Sequence, residues 1–127
     1  MEETNFEPLK NILKGDIDET DTVLDFYSHD ASLFEIKPRI VVFPKDTEDV
    51  KAIVRFVNDN KTTDNNLSIT ARSAGTDMSG GSIGSSIIMD FTRYMNEIVE
   101  VNDTHAILEP GCFYRDLEKE TRKINRI

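Results

Sequence analysis

Residues 71–84 read Ala71-Arg72-Ser73-Ala74-Gly75-Thr76-Asp77-Met78-Ser79-Gly80-Gly81-Ser82-Ile83-Gly84, and four of the chain's six glycines fall in this stretch. Glycines let a main chain turn through positive φ and approach a ligand with no Cβ in the way, and Ser and Thr hydroxyls add donors beside the amides. Such a loop can present N–H groups to a phosphate. The flexible-turn reading stands beside it, because glycine and serine mark loops generally. No Gly-Lys-Ser/Thr ending is present, which excludes a Walker-type NTPase, and the glycine spacing does not give the G-x-G-x-x-G of a dinucleotide fold after the first strand.

Outward from the loop, Leu67, Ile69 and Ala71 alternate with Ser68, Thr70 and Arg72, a strand that feeds directly into it. Ile87-Ile88-Met89, ending at Asp90, is the strand that follows. Upstream, Arg39-Ile40-Val41-Val42-Phe43 is a β-branched run between Pro38 and Pro44 and reads as a buried strand. Asp46 and Thr47 offer an N-cap, and Val50, Ile53, Val54 and Val57 share one face of a helix from Thr47 to about Asn58. The order strand, helix, strand, glycine loop, strand emerges without a template.

Near the N-terminus, Phe6, Leu9, Ile12 and Leu13 keep helical spacing behind Thr4 and Asn5, with Gly15 placed as a C′ glycine. Asp16 to Asp21 reads as an acidic turn, and Val23 to Tyr27 as one or two further helical turns. The polar run Asn58 to Asn66 reads as an ordinary loop. Downstream, Ile98 to Val101 and Ala106 to Leu108 flank Asn102-Asp103-Thr104 as an antiparallel pair, stopped by Pro110-Gly111. Phe113, Leu117 and Ile124 outline a last helix. Its basic residues, Arg115, Lys119, Arg122, Lys123 and Arg126, alternate with Asp116, Glu118 and Glu120 as a solvated face. A chain that stops about one turn beyond that helix reads as part of a longer protein.

The bulk composition narrows the partners. At 127 residues with 38% apolar content, the chain supports one domain or a piece of one. Its formal charge of −9 argues against nucleic acid or an anionic membrane as main partner. Cys112 is the single cysteine, which excludes an intrachain disulfide and fits a reducing, cytoplasmic compartment; its reading is a small buried apolar residue. No apolar run approaches the roughly 20 residues of a membrane span, and the acidic start, Met1-Glu2-Glu3, is neither a secretory signal nor a transit peptide. Asp77 and Asp90 read as turn and strand-end residues, not as a metal pair, and Asp46, Glu48 and Asp49 as acids that complement a helix dipole. His29 and His105 read as surface residues.

Four blocks in order carry a family resemblance: Ser28-His29-Asp30-Ala31-Ser32, Pro38 to Val50, Ala71 to Gly84, and Met89 to Asn96, extended by Glu109-Pro110-Gly111. They resemble the start of an FAD-binding domain of the vanillyl-alcohol oxidase / PCMH type, nearest to D-lactate dehydrogenase and glycolate oxidase relatives, over about residues 28 to 125. The resemblance implies an α+β fold: the first subdomain of a PCMH-type FAD-binding fold, with a small mixed sheet, α/β in character, and flanking helices. Residues 1–35 would be a helical lead-in and 36–127 the first part of the FAD domain, incomplete at its C-terminus.

It further implies that Arg72, Ser73, Ala74, Gly75, Thr76, Asp77, Met78, Ser79, Gly80 and Gly81 hold the FAD diphosphate. Ser73, Gly75, Thr76 and Ser79 lead that set, with Pro44 toward the adenine and Gly111 close to the cofactor. Because the loop has no histidine, the FAD is expected to be noncovalent. The implied activity is flavin-dependent oxidation of a D-2-hydroxy acid, D-lactate or glycolate, by hydride transfer to the flavin. The small-molecule substrate is expected on a downstream domain, with an iron–sulfur portion downstream in some members, and the 127-residue stretch alone is expected to be inactive. No residue in it reads as a catalytic base. Two readings stay open beside this: another PCMH-type flavoenzyme with a different substrate, and a non-catalytic interaction module.

Overall fold

In the computed structural model, which describes residues 3–124, the elements run α1 (Glu7–Ile12), β1 (Asp16–Asp18), α2 (Asp21–Phe26), β2 (Ile40–Phe43), α3 (Thr47–Asn60), β3 (Ile69–Arg72), β4 (Ile87–Asp90), β5 (Ile98–Val101), β6 (Ala106–Leu108) and α4 (Tyr114–Lys123). Arg126 of the expected basic face lies outside the described residues. Four strands form one sheet in the order β1-β2-β4-β3, and β5 and β6 form a separate hairpin. β2, β4 and β3 are mutually parallel, while β1 runs antiparallel on the β2 edge. This is the expected small mixed sheet with flanking helices.

The central strands are buried on both faces. Ile40, Val42, Ile87 and Met89 pack with Phe6, Leu9, Ile53, Phe56 and Leu67 on the α1–α3 side, and Val41, Phe43 and Ile88 pack with Leu24 on the α2 side. A strand covered twice has no polar face, so β2 and β4 read as continuous apolar runs rather than alternations. α3 begins as expected: the Asp46 carboxylate accepts from the Asp49 N–H at 3.1 Å. The hairpin also forms as expected, with Asn102 Oδ1 accepting from the N–H groups of Thr104 and His105. Among the described residues, no helix is long and apolar enough to cross a membrane.

Several expectations are corrected. Asp16–Asp18 is not a turn but strand β1, paired residue for residue with Phe43, Val42 and Val41. Gly15 is not a left-handed helix cap; α1 ends at the extended Leu13, and a Cβ on Gly15 would stand 1.9 Å from the Phe43 carbonyl oxygen. The residue exists to let β1 approach β2. Neither Thr4 nor Asn5 is the N-cap, which is Phe6, although Asn5 Oδ1 still accepts from Glu7 N–H at 2.9 Å. Asp49 does more than complement a dipole, since its buried carboxylate accepts from the N–H groups of Lys14, Gly15 and Lys45.

The polar run after α3 contains a buried anchor. Asp64 accepts from Arg39 Nη1 at 2.7 Å and from Thr4 Oγ1 at 2.8 Å. In β3 the expected alternation fails at its end: Ala71 is exposed and Arg72 is buried. α4 fully buries none of its residues, Leu117 being half-buried and Phe113 and Ile124 exposed; its charges pair as Lys119–Asp116, Arg122–Glu118 and Lys123–Glu120. Such exposed pairs contribute little stability. Cys112 is half-buried rather than enclosed.

Candidate functional site

Parallel strands end on one side of a sheet, and that geometry collects most of the residues singled out above. Arg72 at the end of β3 is paired with Asp90 at the end of β4, and Met89 is paired with Val42 of β2, one residue before Phe43. Pro44 therefore follows β2 on the same edge from which the 73–84 loop leaves β3, two strands away, or about 10 Å at ordinary strand spacing. The turn after β4 meets Gly111, whose N–H donates to the Met95 carbonyl at 2.8 Å. Ligands of open parallel sheets bind outside these carboxyl ends. Pro44, the loop and Gly111 are thus neighbours of one edge.

The loop has two halves of different character. Residues 73–78 carry N–H groups that make no hydrogen bond to any described residue, and Ala74, Thr76, Asp77 and Met78 are exposed. Gly75 takes φ +67° and Gly80 φ +84°, the left-handed conformation that L side chains rarely adopt. The second half is tied to itself: Asp77 Oδ1 accepts from both the N–H and the hydroxyl of Ser79, each at 2.7 Å. These bonds from Ser79, with one from the Gly81 N–H, hold the Asp77 carboxyl below its usual range. Ser79's two donors are therefore already engaged. Ser73 through Met78 keep N–H groups without a partner among the described residues.

Segment 27–34 lies beneath the loop. Ala31 N–H donates to the Gly75 carbonyl at 3.1 Å, Ser82 Oγ donates to Asp30 Oδ2 at 3.1 Å, and a Cβ on Gly80 would meet the Phe34 ring at 3.1 Å. The Ser32 side chain, followed by other donors from Ser32 and Ser82, keeps Asp30 ionised below the ordinary carboxylate range. Residues 28–32 carry part of the family resemblance with no cofactor-binding role expected of them. Their signal was Asp30 followed by Ser32, a short polar turn that presents backbone groups upward.

Arg72 does not reach over the loop. Its guanidinium is buried, at 7% exposure, donates from Nη1 to the His29 carbonyl at 2.7 Å, and lies 4.9 Å from the Tyr27 ring centroid. Tyr27 in turn donates its hydroxyl to Asp90, whose other oxygen accepts from Thr92 N–H and Oγ1. Burial first, then Asp90, pushes the Tyr27 phenol well up from its usual value. Asp77 and Asp90 are thus occupied as turn and strand-end residues.

Pro44 is fully buried, and Gly111 has a steric reason of its own, since a Cβ there would lie 2.2 Å from the Phe91 carbonyl oxygen. A cavity of about 260 Å³ beside it is lined by Thr92, Asn96, Gly111, Cys112, Phe113 and Asp116. His29 and His105 are exposed.

The "FAD binding domain" family model matches residues 38–127. The chain is 37% identical over 75 residues to D-2-hydroxyglutarate dehydrogenase of Escherichia coli, covering 59% of this chain and 7% of that protein. It is 32% identical over 111 residues to the mitochondrial D-lactate dehydrogenase [cytochrome] 1 of Saccharomyces cerevisiae, covering 82% of this chain and 18% of that protein. It therefore spans less than a fifth of the length of either relative. Among solved structures, 6-hydroxy-D-nicotine oxidase from Arthrobacter nicotinovorans superposes with a TM-score of 0.73 at 26% identity, over 94% of this chain and 26% of that one. The fold of p-cresol methylhydroxylase superposes with a TM-score of 0.72 at 20% identity, over 92% of this chain and 24% of that one. The free amides of the loop, its place at the carboxyl edge of the parallel strands and the family match over 38–127 have one reading: this chain belongs to the FAD binding domain family.

Proposed function

We propose that this chain is the diphosphate-gripping portion of a flavin-dependent oxidoreductase that oxidises a D-2-hydroxy acid, of the D-lactate, glycolate or D-2-hydroxyglutarate class. The observation that carries it is the run of unengaged N–H groups at 73–78, opened by a left-handed Gly75. The residues present fit FAD. A diphosphate approaching a chain of net charge −9 needs short, directed donors, and N–H bonds to a charged oxygen are about twice as strong as neutral ones. Amides 73–78 and the hydroxyls of Ser73 and Thr76 would hold it, Gly80 and Gly81 would keep the loop close, and Pro44 and Gly111 would border the adenine side and the neighbouring edge. Asp77 and Ser79 would fix the loop's far half.

When bound, FAD would supply the redox chemistry, accepting a hydride from the substrate at flavin N5. This chain's residues would bind and orient it. Noncovalent attachment is supported by the absence of histidine from residues 71–84. The substrate site, the rest of the flavin envelope and, in some relatives, an iron–sulfur portion would come from downstream sequence, and the lone Cys112 favours a reducing compartment, the cytoplasm in this reading. By itself the 127-residue stretch would retain FAD weakly and be inactive.

The test is Gly75→Val in the full-length protein. A Cβ there faces both a positive φ and the Arg72 guanidinium at 2.6 Å, so the purified variant should lose its flavin absorbance. Flavin content equal to that of the wild type would count against the loop as the diphosphate site. The likeness to 6-hydroxy-D-nicotine oxidase favours a second reading, a related flavoenzyme with another substrate. Turnover of D-2-hydroxy acids against amine and phenol substrates separates the two. A full-length protein that never takes up FAD would favour the interaction module.

A further inference from the structure

We propose that Arg72 is a positioning residue of the cofactor loop: it lies flat beneath Gly75, held by the Tyr27 ring and the His29 carbonyl, and sets the turn that presents amides 73–78, so phosphate is not its ligand. The inference rests on the FAD reading above. Its first support is burial. An arginine at a strand end beside a phosphate-binding loop is expected to extend into solvent toward the anion, yet this side chain is folded back into the protein. Burying a guanidinium is costly unless its donors are used. Among the described residues, Arg72 forms no ion pair with a carboxylate, and its Nη1 donates to a neutral carbonyl, that of His29.

Its second support is shape. A Cβ built on Gly75 would stand 2.6, 2.8 and 3.0 Å from Nη2, Cζ and Nε of Arg72, nearly equidistant from three atoms of the guanidinium. The plane therefore faces the Gly75 backbone broadside. The Tyr27 ring, with its centroid 4.9 Å from Cζ, supports the group, and Phe26 lies farther off at 6.0 Å. A cation against an aromatic face gains from the ring quadrupole, and a planar one also stacks. Lysine offers a point charge with no plane.

The third support is continuity. His29, which accepts from Arg72, is two residues from Ala31, which donates to the Gly75 carbonyl, and Asp30 between them receives Ser82 from the loop's far end. Arg72 and segment 27–31 thus hold the loop from below, at the Gly75 turn and at its far end. This segment precedes residue 38, where the family match begins. The loop's conformation is set partly from outside that match.

The experiment uses the full-length protein stripped of flavin and titrated with FAD by fluorescence at several salt concentrations, as wild type, Arg72→Lys, Arg72→Gln, Tyr27→Leu and Arg72→Gln/Tyr27→Leu. Both Arg72 variants should weaken FAD binding by on the order of tenfold or more, the loss expected for one buried charged hydrogen bond. Lysine should give no rescue. The salt dependence of the dissociation constant should match wild type, because a charge that never meets the phosphate is not part of what salt screens. Tyr27→Leu should weaken binding as well, and the double variant should be no weaker than the worse single one, since the residues act as one support.

Rescue by Arg72→Lys, or a flatter salt dependence in Arg72→Gln, would make Arg72 a phosphate ligand and overturn the proposal. Should the Arg72 variants fail to fold, wild-type affinity in Tyr27→Leu overturns it alone. Wild-type protein that binds no FAD would instead sink the functional reading. FAD binding that is lost in Gly75→Val yet unchanged in Arg72→Gln would sink only the role given to Arg72.

Discussion

Asp49 is 1% exposed, and its carboxylate oxygens accept from Lys14 N–H at 3.0 Å, Gly15 N–H at 2.8 Å and Lys45 N–H at 2.9 Å. One side chain thus joins the start of α3 to the entry of β1 and the exit of β2, within a few residues of Pro44. Asp49→Ala would leave three backbone donors without a partner at once. A fully buried donor left unsatisfied costs about 1–3 kcal/mol, and since Lys14 and Lys45 are exposed and water relieves part of that cost, the variant should lose about 1–3 kcal/mol in all. Denaturant midpoints check this. Asp49→Asn should fall between, because one amide oxygen cannot replace two carboxylate oxygens, and an alanine variant as stable as the wild type would show that water reaches those donors. In the sequence Asp49 is indistinguishable from Glu48 beside it. Only the fold shows that one points into the β1–β2 junction and the other into solvent.

At the level of elements, β1 and the loop show opposite degrees of legibility. The glycine loop is readable because special backbone selects glycine: Gly75 and Gly80 both take positive φ. β1 was not readable, since Asp16-Ile17-Asp18 has one apolar residue and an edge strand only three residues long needs no more. What makes it a strand is Gly15, where the close approach of Phe43 leaves no room for a Cβ. Gly15→Ala should therefore push β1 off β2 and cost about 1–3 kcal/mol, the usual range for overpacking, although its φ is ordinary. Hydrogen exchange should show Asp16–Asp18 losing protection while β4 keeps it; equal protection in both would show that the backbone absorbs the contact without unpairing. Arg72 was placed on the wrong face for a related reason. Period-two alternation assumes that both faces of a strand meet one environment along their length, and the end of β3 instead meets Tyr27 and the His29 carbonyl.

Over the whole molecule, the acidic side chains decide how it responds to pH. Asp64 is drawn down to about 2, chiefly by the Arg39 guanidinium and then by the Thr4 hydroxyl. Asp16, held by the Tyr94 hydroxyl and Arg93, and Asp46, held by Lys14 and the Asp49 N–H, are shifted the same way. Each has a folded value below its unfolded one of 3.8, so near and below that pH the unfolded chain binds more protons than the folded chain. The stabilisation they give is complete above the ordinary carboxylate range and disappears as pH falls through the folded values. Acid also removes the mutual repulsion of a chain with net charge −9 at pH 7, but that relief is spent by the isoelectric point near 4.6, before the paired carboxylates titrate. Stability should therefore hold down to about pH 5 and fall steeply from about pH 4 to 2. Asp64→Asn should be less stable than wild type at neutral pH and lose less on acidification, because it has already surrendered the largest of these shifts. Urea midpoints measured across that range decide the point: curves for wild type and Asp64→Asn that stay parallel from neutral pH to acid would mean that the Arg39–Asp64 pair, which pins the N-terminal segment to the end of α3, carries no part of the acid response.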